Sequence, residues 1–93
     1  MTYGYPMQAA LNPIPGTPDA VVRACIEAIT TAARPYGVVH VDAASSGPLR
    51  ARRRGAVAPL QVRVQYARQG GVEVRQSQVG CRLDAAGEVV GLS

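Results

Sequence analysis

The chain has 93 residues, which is the length of one domain, and 47% of them are hydrophobic, so the composition predicts a folded core and excludes general disorder. Its ten basic residues are all arginine, and six acidic residues leave a formal net charge of +4. No stretch approaches the roughly 20 apolar residues of a membrane span and no secretory signal pattern opens the chain, so the sequence predicts a cytoplasmic protein without a membrane partner.

Residues 1–16 contain three prolines and two glycines, a composition typical of an extended arm. We expect this arm either to be disordered or to lie across a single domain formed by residues 17–93. The core of that domain must be light, because the sequence has no Phe or Trp and only four Tyr. A small domain with a light core is marginally stable alone, so self-association is expected.

The segment GTPDAVVRACIEAITTAARPYG predicts an amphipathic helix. Thr17 is expected to be the N-cap, Pro18 to occupy the first helical position, and Asp19 to complement the positive helix end. Pro35 and Gly37 end the helix. The apolar stripe, which should pack on a sheet, consists of Val22, Cys25, Ile26, Ile29 and Ala33.

The sequence after the helix has the pattern of β-strands. Residues 38–44 form the first, and the turn residues 45–48 lead back into a second strand that places Asp42 opposite Arg50. In the alternative interpretation, residues 45–58 form one long mobile loop.

Residues 60–68 alternate strictly between apolar and polar side chains. The side chains expected to point into the core are Leu60, Val62, Val64 and Tyr66. Residues 69–71 have the composition of a three-residue hairpin loop, which places Tyr66 opposite Val74.

The strand after this loop changes phase, since its first valines and its later apolar residues have opposite parity. A continuous register would bury a glutamine, so we predict a β-bulge at residues 76–78. The bulge brings Val79 opposite Val62 and Cys81 opposite Leu60.

A turn at residues 83–88 returns the chain into a last strand at 89–92, which should be an exposed edge. The predicted fold class is therefore α+β, with one N-terminal helix packed on a four-stranded antiparallel meander in two layers.

The positive charge is local. The formal excess of +4 equals one run of four arginines, and no acid occurs between Asp42 and Glu73. Such asymmetry is typical of an anion-binding surface, although a bias that uses Arg in place of Lys gives the same composition. The candidate residues for binding nucleic acid or another polyanion are Arg50, Arg52, Arg53, Arg54, Arg63 and Arg75. The last two are included because they should project from the side of the sheet that the helix leaves uncovered.

One pair of residues has the pattern of a catalytic site. His40 and Asp42 lie two apart on one strand, so both side chains emerge from the same face, and Ser45 or Ser46 is a candidate third member. A turn explains the serines equally well, so no catalytic residue is assigned.

The sequence predicts no metal site and no cofactor, because one histidine and two distant cysteines do not supply four close ligands. Cys25 and Cys81 fit reduced core thiols in a cytoplasmic protein. They could also face each other across the helix–sheet interface and form a disulfide under oxidising conditions.

The favoured function is a small non-catalytic domain that associates with another protein or with itself as a homo-oligomer, such as a homodimer. The first alternative is nucleic-acid or polyanion binding through residues 50–54 and the uncovered sheet face. The second is a hydrolase-type enzyme that uses His40 and Asp42.

Overall fold

The structure is a computed structural model that describes residues 11–93. These residues form one long helix, one 3₁₀ turn and a single five-stranded sheet. The bounds are α1 Asp19–Ala33, the 3₁₀ turn Arg34–Tyr36, β1 Val38–Ser45, β2 Arg50–Arg52, β3 Gly55–Arg68, β4 Gly71–Asp84 and β5 Val89–Leu92. The strand order is β1-β3-β4-β5, β2 pairs with β3 alone, and every pairing of strands is antiparallel. The predicted α+β class with an N-terminal helix is confirmed, with five strands instead of four.

The helix α1 packs on the sheet through the predicted stripe. Val22, Cys25, Ile29 and Ala33 are buried, and Ile26 packs partly against them. They meet the alternating side chains of β3, of which Leu60, Val62 and Val64 are buried and Tyr66 is partly buried, as predicted.

The predicted N-cap is wrong by one residue. Pro18 is the N-cap and no side chain caps the helix. Thr17 is instead buried, and its hydroxyl donates a hydrogen bond to the Gly47 carbonyl at 2.9 Å. The side chain that could have capped the helix therefore ties the segment before it to the loop after β1.

Residues 11–16 lie across the end of β1. The Ile14 N–H donates to the Ser45 carbonyl at 2.8 Å, and the Ser45 hydroxyl donates to the Ile14 carbonyl at 2.6 Å. Asn12 exchanges two hydrogen bonds with the Gln61 side chain. Residues 1–10, the rest of the predicted arm, lie outside the described residues.

The predicted pairing of the first two strands is wrong. The strand β1 pairs with β3, so Asp42 lies opposite Arg63 and not opposite Arg50. The physical reason is burial, because β3 offers Val62 and Val64 as partners for the inward side chains of β1, whereas all three residues of β2 are exposed.

The predicted second strand after residues 45–48 exists, but it does not pair with β1, and residues 45–58 are not one long loop. The segment Arg50–Arg52 forms a short hairpin with the start of β3, with Arg50 opposite Val57 and Arg52 opposite Gly55. The strand β3 therefore begins five residues before the predicted start at residue 60.

The predicted β-bulge is absent, because β3 and β4 pair without a register shift from Arg68 opposite Gly71 to Gly55 opposite Asp84. The hairpin has a two-residue turn, in which Gly70 has a left-handed φ of 90°. Tyr66 therefore lies opposite Glu73 and not Val74. The continuous ladder keeps every backbone pair, which a bulge would interrupt.

Because the register is uninterrupted, the change of phase in the sequence of β4 appears as a change from apolar to polar side chains along the helix side of the strand. Leu60 pairs with Val79 and Ala58 with Cys81, so each partner in β3 lies two residues before the predicted one. Polar residues then occupy the helix side of β4 farther along the strand, where Arg75 and Ser77 are exposed because α1 does not cover them.

A disulfide joins the two layers. The Cys25 and Cys81 sulfurs are bonded, and both residues are fully buried between α1 and β4. The two cysteines face each other as the sequence suggested, but the default expectation of reduced thiols is wrong. The bond connects residues that are 56 apart in the sequence.

Replacing both cysteines with alanine (Cys25→Ala and Cys81→Ala) should lower the free energy of unfolding by about 4 kcal/mol, since the bond restricts a long loop of the unfolded chain. The measurement is the denaturant midpoint of the oxidised protein and of the double variant. Reducing the unchanged protein should lower its midpoint similarly. Equal midpoints for all three samples would contradict a stabilising role.

Candidate interaction surfaces

The face of the sheet opposite the helix carries polar side chains, and we call it the open face. Partners in an antiparallel ladder share a face, so residues that alternate with the buried positions of β3 define it. Among its members on β1, β3 and β4 are His40, Asp42 and Ala44, then Gln61, Arg63 and Gln65, then Val72, Val74, Gln76 and Gln78.

Arg63 lies on the open face, as predicted, but it is engaged there. Its Nη2 donates to Asp42 Oδ2 at 3.3 Å, and only 16% of its side chain is exposed. The same carboxylate contacts His40, with Nε2 at 3.1 Å from Oδ1. Arg63 therefore neutralises a charge of its own sheet and offers little of its guanidinium to a ligand.

Arg75 lies on the opposite side of the sheet from its predicted place. It pairs with the buried Val64, so its side chain emerges on the helix side. There it contacts Glu73 Oε2 at 2.9 Å, while Arg68 donates to Oε1 of the same carboxylate at 3.0 Å. The hydrogen bond from Arg75 is the main reason that the pKa of the Glu73 carboxyl lies below its ordinary value; some desolvation opposes it and Arg68 adds to it.

The four arginines of the run lie together, and we call them the arginine hairpin: Arg50, Arg52, Arg53 and Arg54. Arg50 and Arg52 lie on β2, Arg53 and Arg54 form the tight turn after it, and all four are exposed. Within residues 11–93, no ion pair engages any of them. This part of the predicted site is therefore assembled as a surface cluster of positive charge.

Arg82 belongs to the same cluster, although the sequence analysis missed it. It pairs with Val57 on the open face and lines a groove of about 330 Å³ together with Arg52, Arg54 and one acid, Asp84. Its guanidinium lies against Gly91, where a Cβ would collide with it. Only the true register of β3 and β4 brings Arg82 beside the hairpin, so no signal in the local sequence could have identified it.

The serine that could have completed a catalytic site with His40 and Asp42 points away from them. Ser45 pairs with Leu60 and is buried on the helix side, where its hydroxyl contacts the backbone of Ile14, Thr17 and Gly47. In the described range, no three His, Cys, Asp or Glu side chains gather as metal ligands. His40 and Asp42 remain an exposed pair on a strand.

Among residues 11–93, no strand pairs with the outer edge of β4 over residues 72–78, and we call this stretch the free edge. The strand β5 reaches along β4 only to Gly80, which exchanges two hydrogen bonds of 2.9 Å with Ser93. Since backbone groups alternate sides along a strand, the even-numbered residues of β4 direct their N–H and C=O outward. Within the described part of the chain, Val72, Val74, Gln76 and Gln78 thus present unpaired backbone groups.

The other strand edges are shorter or irregular. A register shift separates Val38 from His40 in β1, and Ile14 bridges to Ser46 at the far end of that strand. The strands β2 and β5 have three and four residues. Bulges, short strands and charged side chains are among the features that protect edges from other chains. Over residues 72–78, β4 has no bulge and is not short, and its charged residues Glu73 and Arg75 are paired with each other.

The fold and these surfaces define a small two-layer α+β domain, and comparison with known proteins adds no relationship. No protein-family model, no curated protein and no solved structure matches the chain significantly. Its function has to be inferred from its own surfaces.

Hydrogen exchange should reveal the free edge. In dilute protein, the amides of Val72, Val74, Gln76 and Gln78 should exchange fast, because they point to solvent, while the intervening amides that face β3 exchange slowly. Residue-resolved NMR measures both sets in one sample, so the odd-numbered amides are the internal control. Slow exchange at all positions in a monomer would show that the edge is covered.

Proposed function

We propose that the protein is a non-catalytic association domain that pairs the free edge of β4 with a strand of another chain, including a second copy of itself. The observation that carries the proposal is the row of outward backbone groups at Val72, Val74, Gln76 and Gln78. An edge of this kind is a template for a further strand, whose main-chain hydrogen bonds supply affinity.

The side chains of the edge support the same proposal. The stretch of residues 72–78 has no proline and no glycine, and it alternates valine or glutamine with charged or hydroxyl residues. Val72 is 58% exposed, although valine is typical of paired strands. Association also fits the light core, which has Leu60 as its largest fully buried residue.

The location of the protein stays a prediction. No helix of the described residues is long and apolar enough to cross a membrane. The disulfide of Cys25 and Cys81 argues against the predicted cytoplasmic location, because such bonds persist mainly in oxidising compartments.

A substitution of Val74 by proline (Val74→Pro) tests the proposed function. Proline removes an N–H that faces solvent in the monomer, so the ladder with β3 loses no bond while a pairing strand loses a donor. Light scattering over a concentration series should show association of the unchanged protein and a monomeric variant.

The matched control is Val74→Thr, which keeps the N–H and the β-branched shape and should associate like the unchanged protein. Thermal melting of the proline variant checks that it folds. If the unchanged protein stays monomeric at millimolar concentration, the self-association part of the proposed function is wrong.

A second candidate function is polyanion binding by the arginine hairpin together with Arg82. The specific observation is that these exposed guanidinium groups have no acidic partner within residues 11–93, whereas Arg63, Arg68 and Arg75 do. Arginine clusters bind phosphate and sulfate groups by charge and by paired hydrogen bonds.

Binding of a DNA duplex at several salt concentrations tests this candidate. The double variant Arg52→Ala, Arg53→Ala should bind more weakly and should reduce the slope of log affinity against log salt by about 2, since two phosphate contacts are lost. The matched control, Arg23→Ala with Arg34→Ala, removes the same charge from the helix side and should change the slope little. Absence of binding at low salt would end this candidate.

A further inference from the structure

We propose that two copies of this chain pair their β4 strands antiparallel about a two-fold axis at Val74, which joins the two sheets into one. This inference rests on the proposed function and specifies its partner and register. The direction of the backbone groups and the charges along the free edge determine the register.

Symmetry limits the registers that are available. Two identical strands that pair antiparallel across an edge are related by a two-fold axis perpendicular to the sheet, so the helices of both copies lie on the same side. Hydrogen-bonded pairs must join residues whose groups point outward, which are the even-numbered residues of β4. The two-fold axis therefore passes through one residue of the free edge. The choice of that residue determines all other residue pairs between the two β4 strands.

Charge excludes two of these axes. An axis at Glu73 places that carboxylate opposite its own copy, and an axis at Arg75 places two guanidinium groups opposite each other. Like charges directly opposite in a ladder are destabilising. Glu73 stays ionised near neutral pH, because Arg75 and Arg68 both donate to it.

Backbone pairing excludes the neighbouring axes. An axis at Gln76, Ser77 or Gln78 brings an outward residue of the edge opposite Gly80, whose backbone groups are already bonded to Ser93. An axis at Val72 runs into the turn at Gly70 and leaves the far end of the edge unpaired. The axis at Val74 uses only groups that have no backbone partner in residues 11–93.

With the axis at Val74, the hydrogen-bonded pairs are Val74 with Val74 of the second copy and Val72 with Gln76 of the second copy. Between them, Glu73 lies directly opposite Arg75 of the second copy. Each carboxylate already contacts Arg75 of its own strand at 2.9 Å. The four side chains therefore form a closed ring of alternating charge, which no other axis produces.

Cysteine cross-linking tests the register. A cysteine at Val74 (Val74→Cys) faces its own copy with Cα atoms about 5.5 Å apart, within the range for a disulfide. The native cysteines are bonded to each other, so the introduced thiol is the only free one. Mild oxidation should give a covalent dimer.

The matched controls are Val72→Cys and Gln76→Cys. Each alone should remain uncrosslinked, because in this register the two copies of residue 72, and likewise of residue 76, lie about 13 Å apart. An equal mixture of the two variants should form a covalent heterodimer, since residue 72 of one copy lies opposite residue 76 of the other.

Charge exchange tests the ring. Glu73→Arg and Arg75→Glu should each raise the dissociation constant of the dimer at least about tenfold, because each sets like charges opposite. The double exchange should restore association, and a mixture of the two single variants should form a heterodimer. A control exchange on the helix, Arg23→Glu with Glu27→Arg, should leave association unchanged.

The outcomes separate the two proposals. If the protein associates through the free edge but the Val74 cysteine does not cross-link, or the double exchange does not restore association, the register is wrong and the proposed function stands. If the unchanged protein and every variant are monomeric at millimolar concentration, the register and the self-association part of the proposed function both fail.

Discussion

The architecture depends on the burial of one helix stripe against alternate side chains of β3, held by the bond between Cys25 and Cys81. The core around that bond contains no phenylalanine or tryptophan, so valine, alanine and leucine must exclude water with little area each. A covalent link between layers stabilises such a core by limiting the unfolded chain more than by adding contacts.

The area of the sheet that α1 covers determines which of its side chains stay exposed. The buried stripe of α1 packs against β1, β3 and the end of β4 that contains Cys81. Beyond it, β4 carries Glu73, Arg75 and Ser77 on the helix side, and no element of residues 11–93 covers them. The change of phase in the sequence therefore marks the boundary between the packed part of the sheet and a part that residues 11–93 leave uncovered.

The arginines differ in role because they differ in neighbours. Arg63 and Arg75 each have a carboxylate within 3.3 Å, so their charge is balanced locally. The arginine hairpin extends from the sheet on a two-residue turn, beyond the reach of those acids, and Arg82 joins it through the pairing of β3 with β4. The net charge of +4 is thus concentrated at one end of the molecule, away from the free edge.

The sequence by itself determined the helix, its buried stripe, the inward set of β3 and the fold class, because these depend on periodicities of 3.6 and 2 that are local. It did not determine the partner of β1, the register of β3 with β4 or the side on which Arg75 emerges. Those features depend on which of several distant segments makes the more favourable partner. For example, β2 and β3 compete as the neighbour of β1. Only the tertiary structure decided them, because burying Val62 and Val64 and keeping an unbroken ladder outweigh the local turn signals on which the predicted meander and bulge were based.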